Sequence, residues 1–225
     1  LKLLGTHNRR LIACERCPRL RIYCAGIAER RRRAYLHEEY WGKPVPSFGD
    51  PQARLLILGL APGAHGSNRT GRPFTGDGSG NFLYPVLYDA GFASQPIATS
   101  PDDGMKLHDA WITSVVRCAP PDNKPTPEEQ RNCASWMDEE LALLPRINII
   151  VCLGKIAWDG YRAYLKRRTG KSVSCSFGHG AEYALPDGRT LIGSYHPSLQ
   201  NTNTGRLTRP MFLDIFSRAR ALISR

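Results

Sequence analysis

Apolar residues come along this chain in short unbroken runs, each closed by Gly or Pro. Residues 54–60 are the clearest case. Leu55-Leu56-Ile57-Leu58 is continuous, Gly59 and Leu60 follow, and Ala61-Pro62-Gly63 stops the run. This pattern predicts a strand buried on both faces and a tight loop behind it. Residues 111–117, 148–154 and 190–195 repeat the pattern. Helical spacing lies between the runs: Phe82, Val86 and Leu87 within 81–90, a segment from about Lys155, and a last helix over 211–223. Thr126-Pro127-Glu128-Glu129 is a helix start with an N-cap, Pro at the first position and acids in the first turn. Apolar strands alternating with helices predict an α/β fold, a parallel sheet covered on both faces. Residues 1–225 read as a single domain, with an N-terminal arm of about 1–50 before the first strand and a helix over 26–41. Ligands in such folds bind at the carboxyl ends of the strands. That rule brings 59–80, 118–124, 154–155 and 196–206 to one edge.

Charge narrows the partner. Lys and Arg number 31 against 20 Asp and Glu, a formal net charge of +11. Such an excess favours polyanions through counterion release. No apolar run approaches the roughly 18 residues of a membrane span, and the N-terminal residues lack the apolar core of a signal peptide. The expectation is a soluble cytoplasmic protein with no membrane partner. Arg30 to Arg33 form a basic run; a solvated helix face and a phosphate contact are equally open readings.

There are seven cysteines. Cys14 and Cys17 form a C-x2-C pair in the arm, while Cys118 and Cys133 flank a Pro-rich loop and the start of a helix. Two separated pairs suit a four-thiolate site for zinc or an iron–sulfur cluster, and spacing alone does not choose between them. Cys152 falls in a predicted strand and reads as core; Cys24 and Cys175 read as free thiols.

Two loops carry the remaining chemistry. The first runs from Gly59 through Gly63 to Thr70-Gly71-Arg72-Pro73-Phe74-Thr75-Gly76-Asp77. Its glycines allow close backbone approach to a ligand, and it lacks the Gly-Lys-Ser/Thr ending of a nucleotide-hydrolysing P-loop. Phe74 is either an anchor for the loop or a stacking surface for a base. Asp77 is the only carboxylate in 59–80, and an N-cap for the next helix is its alternative use. The second loop is His196-Pro197-Ser198-Leu199-Gln200-Asn201, continuing to Arg206-Leu207-Thr208. A lone His at a strand end is more often structural than catalytic, but the polar stretch after it suits a surface lying against DNA.

Together these features resemble the uracil-DNA glycosylase superfamily, most of all its fifth family, the type B enzymes of thermophiles and actinobacteria. The signature motifs are Gly59-Leu60-Ala61-Pro62 and His196-Pro197-Ser198, and the likeness extends from Cys14 to the last helix. It implies a three-layer α/β/α sandwich around a four-stranded parallel sheet. It also implies a structural [4Fe–4S] cluster on Cys14, Cys17, Cys118 and Cys133. The partner would be damaged double-stranded DNA, met by a monomer that initiates base excision repair. His196 would donate a hydrogen bond to base O2, and Asp77 would stabilise the sugar cation or orient water. Phe74 would stack on the flipped base and Asn123 would read its edge, with Gly59, Ala61 and Gly63 lining the pocket. Ser198, Leu199, Asn201, Arg206 and Leu207 would meet DNA, with Leu199 and Leu207 as wedges. Related families place a polar, water-positioning residue where Ala61 stands, and some carry an Asn at Ser114. Gly63 replaces the Ala common in type B enzymes, which implies a roomier pocket. With Ala61 there, the resemblance implies breadth: uracil, hypoxanthine and xanthine as substrates. Two rival readings are a uracil-trapping relative with little turnover and a basic zinc-binding nucleic-acid module.

Overall fold

The computed structural model describes residues 2–224. Four strands run parallel: β2 (Leu55–Gly59), β3 (Ala110–Ser114), β4 (Ile149–Leu153) and β6 (Thr190–Ser194). The sheet has six strands rather than the expected four, in the order β1-β3-β2-β4-β6-β5. The two additions are short antiparallel edges, β1 (Phe48–Gly49) on β3 and β5 (Glu182–Ala184) on β6. They lack an apolar run because their side chains are only partly buried or exposed, so they carry no hydrophobic signal.

The alternation within β2 builds the layers. Leu56 and Leu58 face a core shared with α5 (Pro127–Ala142), α6 (Lys155–Thr169) and the N-terminal arm. Leu55 and Ile57 face a second core under α4 (Gly78–Asp89) and α8 (Arg209–Ile223). The helix expected from Thr126 begins there with a capping box: the Thr126 hydroxyl accepts from the Glu129 amide and Glu129 accepts from the Thr126 amide. The arm holds α1 (Lys2–Ile12) and α2 (Pro18–Arg30). The helix predicted over 26–41 stops at Arg30, because Arg31 has φ 51°, outside the helical region. Trp41 and Gly42 then donate backbone hydrogen bonds to Arg69 and Asn68, which ties this segment to the 59–80 loop. Among the described residues no helix is long and apolar enough to cross a membrane.

Between the sheet and α5 lies a closed polar ring. Arg117 meets Glu140 at 2.6 Å, and the Thr113 hydroxyl donates to the same carboxylate oxygen at 2.7 Å. With that proton spent, Ser47 is the donor to Thr113 at 2.7 Å, and Arg117 donates to Ser47. All four residues are buried, Glu140 completely. Burial opposes ionisation of Glu140, yet Arg117 and the two hydroxyls hold its carboxyl below the ordinary carboxylate value. Removing one partner leaves a buried charge unmatched. Glu140→Ala should lower stability in urea unfolding by about 3–5 kcal/mol, and the double change Arg117→Met with Glu140→Leu should recover most of that loss.

Candidate active site and cysteine cavity

The carboxyl ends of β2, β3 and β6 open onto one cavity of about 340 Å³. Gly59, Leu60, Ala61, Pro62 and Gly63 form one wall, with Phe74, Asp77, Ser114, Asn123, His196 and Ser198 around the rest. The sequence-predicted pocket residues therefore converge. Thr113, Asp122 and Gln200 also line it and carry no motif that would have singled them out.

His196 follows the end of β6, and Asn201 donates its side-chain amide to the His196 carbonyl at 2.8 Å. One hydrogen of the Asn201 side-chain amide thus braces the strand end. The His196 imidazole has no hydrogen bond to another described residue, and burial pushes its pKa down to about 4. At neutral pH it is an uncharged ring with an N–H to donate. Its centroid lies 6.0 Å from that of Phe74, with the planes 34° apart. Sandwiching a base between two rings needs about 7 Å, two van der Waals separations. A base stacked on Phe74 would therefore meet His196 by its edge.

Phe74 is an anchor whose ring packs on the second core and also faces the cavity. Its backbone takes φ 51°, an unfavourable region for a bulky residue. The Ser67 hydroxyl accepts from its amide at 3.0 Å. Gly80 is what admits this turn, since a Cβ there would come within 1.7 Å of the Phe74 carbonyl oxygen.

Asp77 also does two things. Its Oδ1 accepts from the Gly80 amide at 2.9 Å and caps α4. Its Oδ2 sits in a notch made by Gly63 and Gly66, where a Cβ would approach to 3.0 and 1.9 Å. The space left by Gly63 is therefore beside the carboxylate. Burial raises the Asp77 pKa, against the amides of Gly80 and Ser79 and the charge of Arg69, which lower it.

The loop expected to meet DNA divides. Leu199 is 58% exposed at the start of α7 (Leu199–Asn203). Leu207 is 1% exposed and belongs to the core under α8, so it is an anchor and not a wedge. Arg206 is exposed, its guanidinium 4.7 Å above the Tyr195 ring. Asn123 is exposed at φ 55°, the last residue of a 3₁₀ turn over Pro121–Asn123.

Cys14, Cys17, Cys118 and Cys133 line a second cavity together, with Arg16, Arg21, Arg117 and Trp136 among its walls. No carboxylate or imidazole lines it, and among the described residues no group of three His, Cys, Asp or Glu side chains forms a metal-ion site. The Trp136 indole donates to the Cys14 sulfur at 3.3 Å. Burial pushes the Cys133 thiol up to about 12 and also raises Cys17. These thiols stay protonated at neutral pH unless a cationic group takes the protons' place. The Arg21 Nε is buried without a partner among the described residues. The donor set, all sulfur and ringed by guanidinium groups, fits a metal–sulfur group carrying net negative charge. Cys24, read as an unpartnered free thiol, donates to the Ala119 carbonyl at 3.5 Å beside this cavity.

The comparisons with known proteins agree with this arrangement. A sequence model of the Uracil DNA glycosylase superfamily matches residues 46–220. A type-5 uracil-DNA glycosylase of Thermus thermophilus is 55% identical over 212 residues, 94% of this chain and 94% of its own. That of Mycobacterium tuberculosis is 46% identical over 218 residues, 96% of this chain and 80% of its own. That of Pyrobaculum aerophilum is 46% identical over 213 residues, 94% of this chain and 90% of its own. The matched lengths take in the pocket loops and both cysteine pairs: the chain belongs to the uracil DNA glycosylase superfamily, and within it to the type-5 family.

Proposed function

We propose that this protein is a monofunctional DNA glycosylase that hydrolyses the N-glycosidic bond of uracil in double-stranded DNA and accepts other deaminated bases, hypoxanthine and xanthine among them. The observation that carries the reading is the neutral, unpartnered His196 imidazole held 6.0 Å from the Phe74 ring, with the Asp77 carboxylate in the same cavity. The activity in the names of its type-5 relatives agrees with it.

The target base must leave the stack, at a cost of a few kcal/mol. Exposed Leu199 fills the gap, and the flipped base stacks on Phe74 with Asn123 at its edge. As the bond from C1′ to the base breaks, its electron pair goes to the base. His196 donates to the oxygen where that charge gathers; a preorganised donor of this kind is worth about 2.7–4 kcal/mol. Asp77, ionised, faces the sugar cation and orients the water that adds to C1′. The products are the free base and an abasic sugar.

Two of the pocket's hydroxyls are already spent, which favours breadth. Thr113 donates to Glu140 and Ser114 donates to the Val116 carbonyl at 2.8 Å. Neither is left to penalise a base that fails to match it, and Ala61 adds no polar group.

We further propose that Cys14, Cys17, Cys118 and Cys133 hold a [4Fe–4S] cluster whose role is to tie the arm to α5. A cluster supplies cross-linking there and no step of base excision runs through it.

His196→Ala should lower single-turnover excision of uracil by roughly a hundredfold or more, with affinity for the duplex largely kept; an unchanged rate would remove His196 from the chemistry. Lowering the pH should reduce the same rate constant as Asp77, whose pKa burial holds above the ordinary carboxylate value, takes up a proton. His196 is neutral between pH 6 and 8 and adds no limb there. Hypoxanthine duplexes should also be cut, and strict uracil selectivity would refute the broad pocket. The purified protein should be brown with about four irons per chain, and Cys118→Ser should lose colour and iron together. A colourless protein with zinc would overturn the cluster.

A further inference from the structure

His179 belongs to none of the motifs above, yet it is bonded to the strand end that carries His196. The segment before β5 lies along β6. Gly180 donates to the Gly193 carbonyl at 2.8 Å, and Gly193 donates to the Ala181 carbonyl at 2.8 Å. This approach needs glycine at 193, where a Cβ would come within 2.4 Å of the Gly178 carbonyl oxygen. The segment presents the His179 ring to Tyr195, the residue before His196.

Two contacts join them. The Tyr195 amide donates to His179 Nδ1 at 3.2 Å. The two rings stack with centroids 5.1 Å apart and planes 27° apart. Arg206 covers the Tyr195 ring at 4.7 Å. The Ser194 hydroxyl, 3.5 Å from His179 Nδ1, donates instead to the Tyr195 carbonyl at 2.9 Å. The Nδ1 lone pair is therefore left to the Tyr195 amide. An acceptor must be unprotonated there. Burial lowers the His179 pKa, against the Met211 backbone and the charge of Asp214, which raise it.

The peptide that would otherwise be free at the end of β6 is thereby held on both sides of His196: at Tyr195 by His179, and at the His196 carbonyl by Asn201. We propose that His179 is a positioning residue for base excision, its Nδ1 fixing the Tyr195 peptide and with it the direction of the His196 imidazole. A donor misplaced by about 1 Å can cost on the order of a hundredfold in rate. The inference rests on the glycosylase reading, and its test separates the two.

The wild-type protein is first shown to excise uracil under single-turnover conditions; if it does not, the glycosylase reading fails and the Tyr195 amide measurement below still judges the contact. His179→Ala removes acceptor and ring, His179→Phe keeps a ring without the acceptor, and His179→Asn restores an acceptor at a similar distance from the backbone. The Ala and Phe variants should lose about 10- to 100-fold in excision rate, with duplex affinity and melting temperature close to wild type. The Asn variant should recover to within a few-fold. Hydrogen exchange of the Tyr195 amide should be fast in the Ala and Phe variants and slow in wild type and the Asn variant. A Phe variant as active as wild type, an Asn variant as impaired as Ala, or a Tyr195 amide equally protected in all four proteins would overturn the proposal.

Discussion

The buried pair of Arg117 and Glu140 is the constraint around which the two functional regions are arranged. Its chain of donors runs one way, from Arg117 to Ser47 to Thr113 to Glu140, and closes on Arg117 again. Thr113 stands in the pocket wall, and Arg117 precedes Cys118. Glu140 sits two helical turns along α5 from Cys133. A salt bridge in such a place is weak support for stability compared with apolar packing. What it supplies is register: β3, the 45–47 segment and α5 fit in one relative position only, since any slip leaves a charge or hydroxyl unmet.

The pocket is built by the same economy of polar groups. Three of the polar side chains around it are engaged in holding the walls themselves. Asp77 caps α4, Ser67 holds the Phe74 amide, and Ser114 bonds two residues along its own chain. The strained Phe74 backbone persists because Ser67 and the close passage of Gly80 over-determine it. A cavity so arranged recognises shape and a stacking face first, and hydrogen-bond pattern second.

Much of this is legible in the sequence because short unbroken apolar runs announce buried parallel strands, and because Gly-Leu-Ala-Pro and His-Pro-Ser mark where such strands end. What escaped had local signals opposed by distant contacts. The helix drawn through 26–41 ignored that Trp41 and Gly42 pair with the 68–69 backbone. Leu207 looked like a wedge because it sits in a polar loop; only the turn of that loop back under α8 buries it. The brace from Asn201 to the His196 carbonyl has no sequence signal. The edge strands β1 and β5 have no periodicity to find. The pairing of Arg117 with Glu140, 23 residues apart, has no sequence signature at all.

The N-terminal arm is fastened to α5 by partners far along the chain: Arg10 to Glu139, Arg16 to Ser135, Arg19 to Glu129, and His7 edge-on to Trp136. On the ribosome this order matters. Chains grow at about 5–20 residues per second, so α5 emerges on the order of ten seconds after the arm. Until then the arm lacks the α5 surface, and its remaining contacts are with segments nearer in the chain, such as the Gly42 carbonyl and Asn68. A segment made well before α5 waits for α5 to complete its contacts.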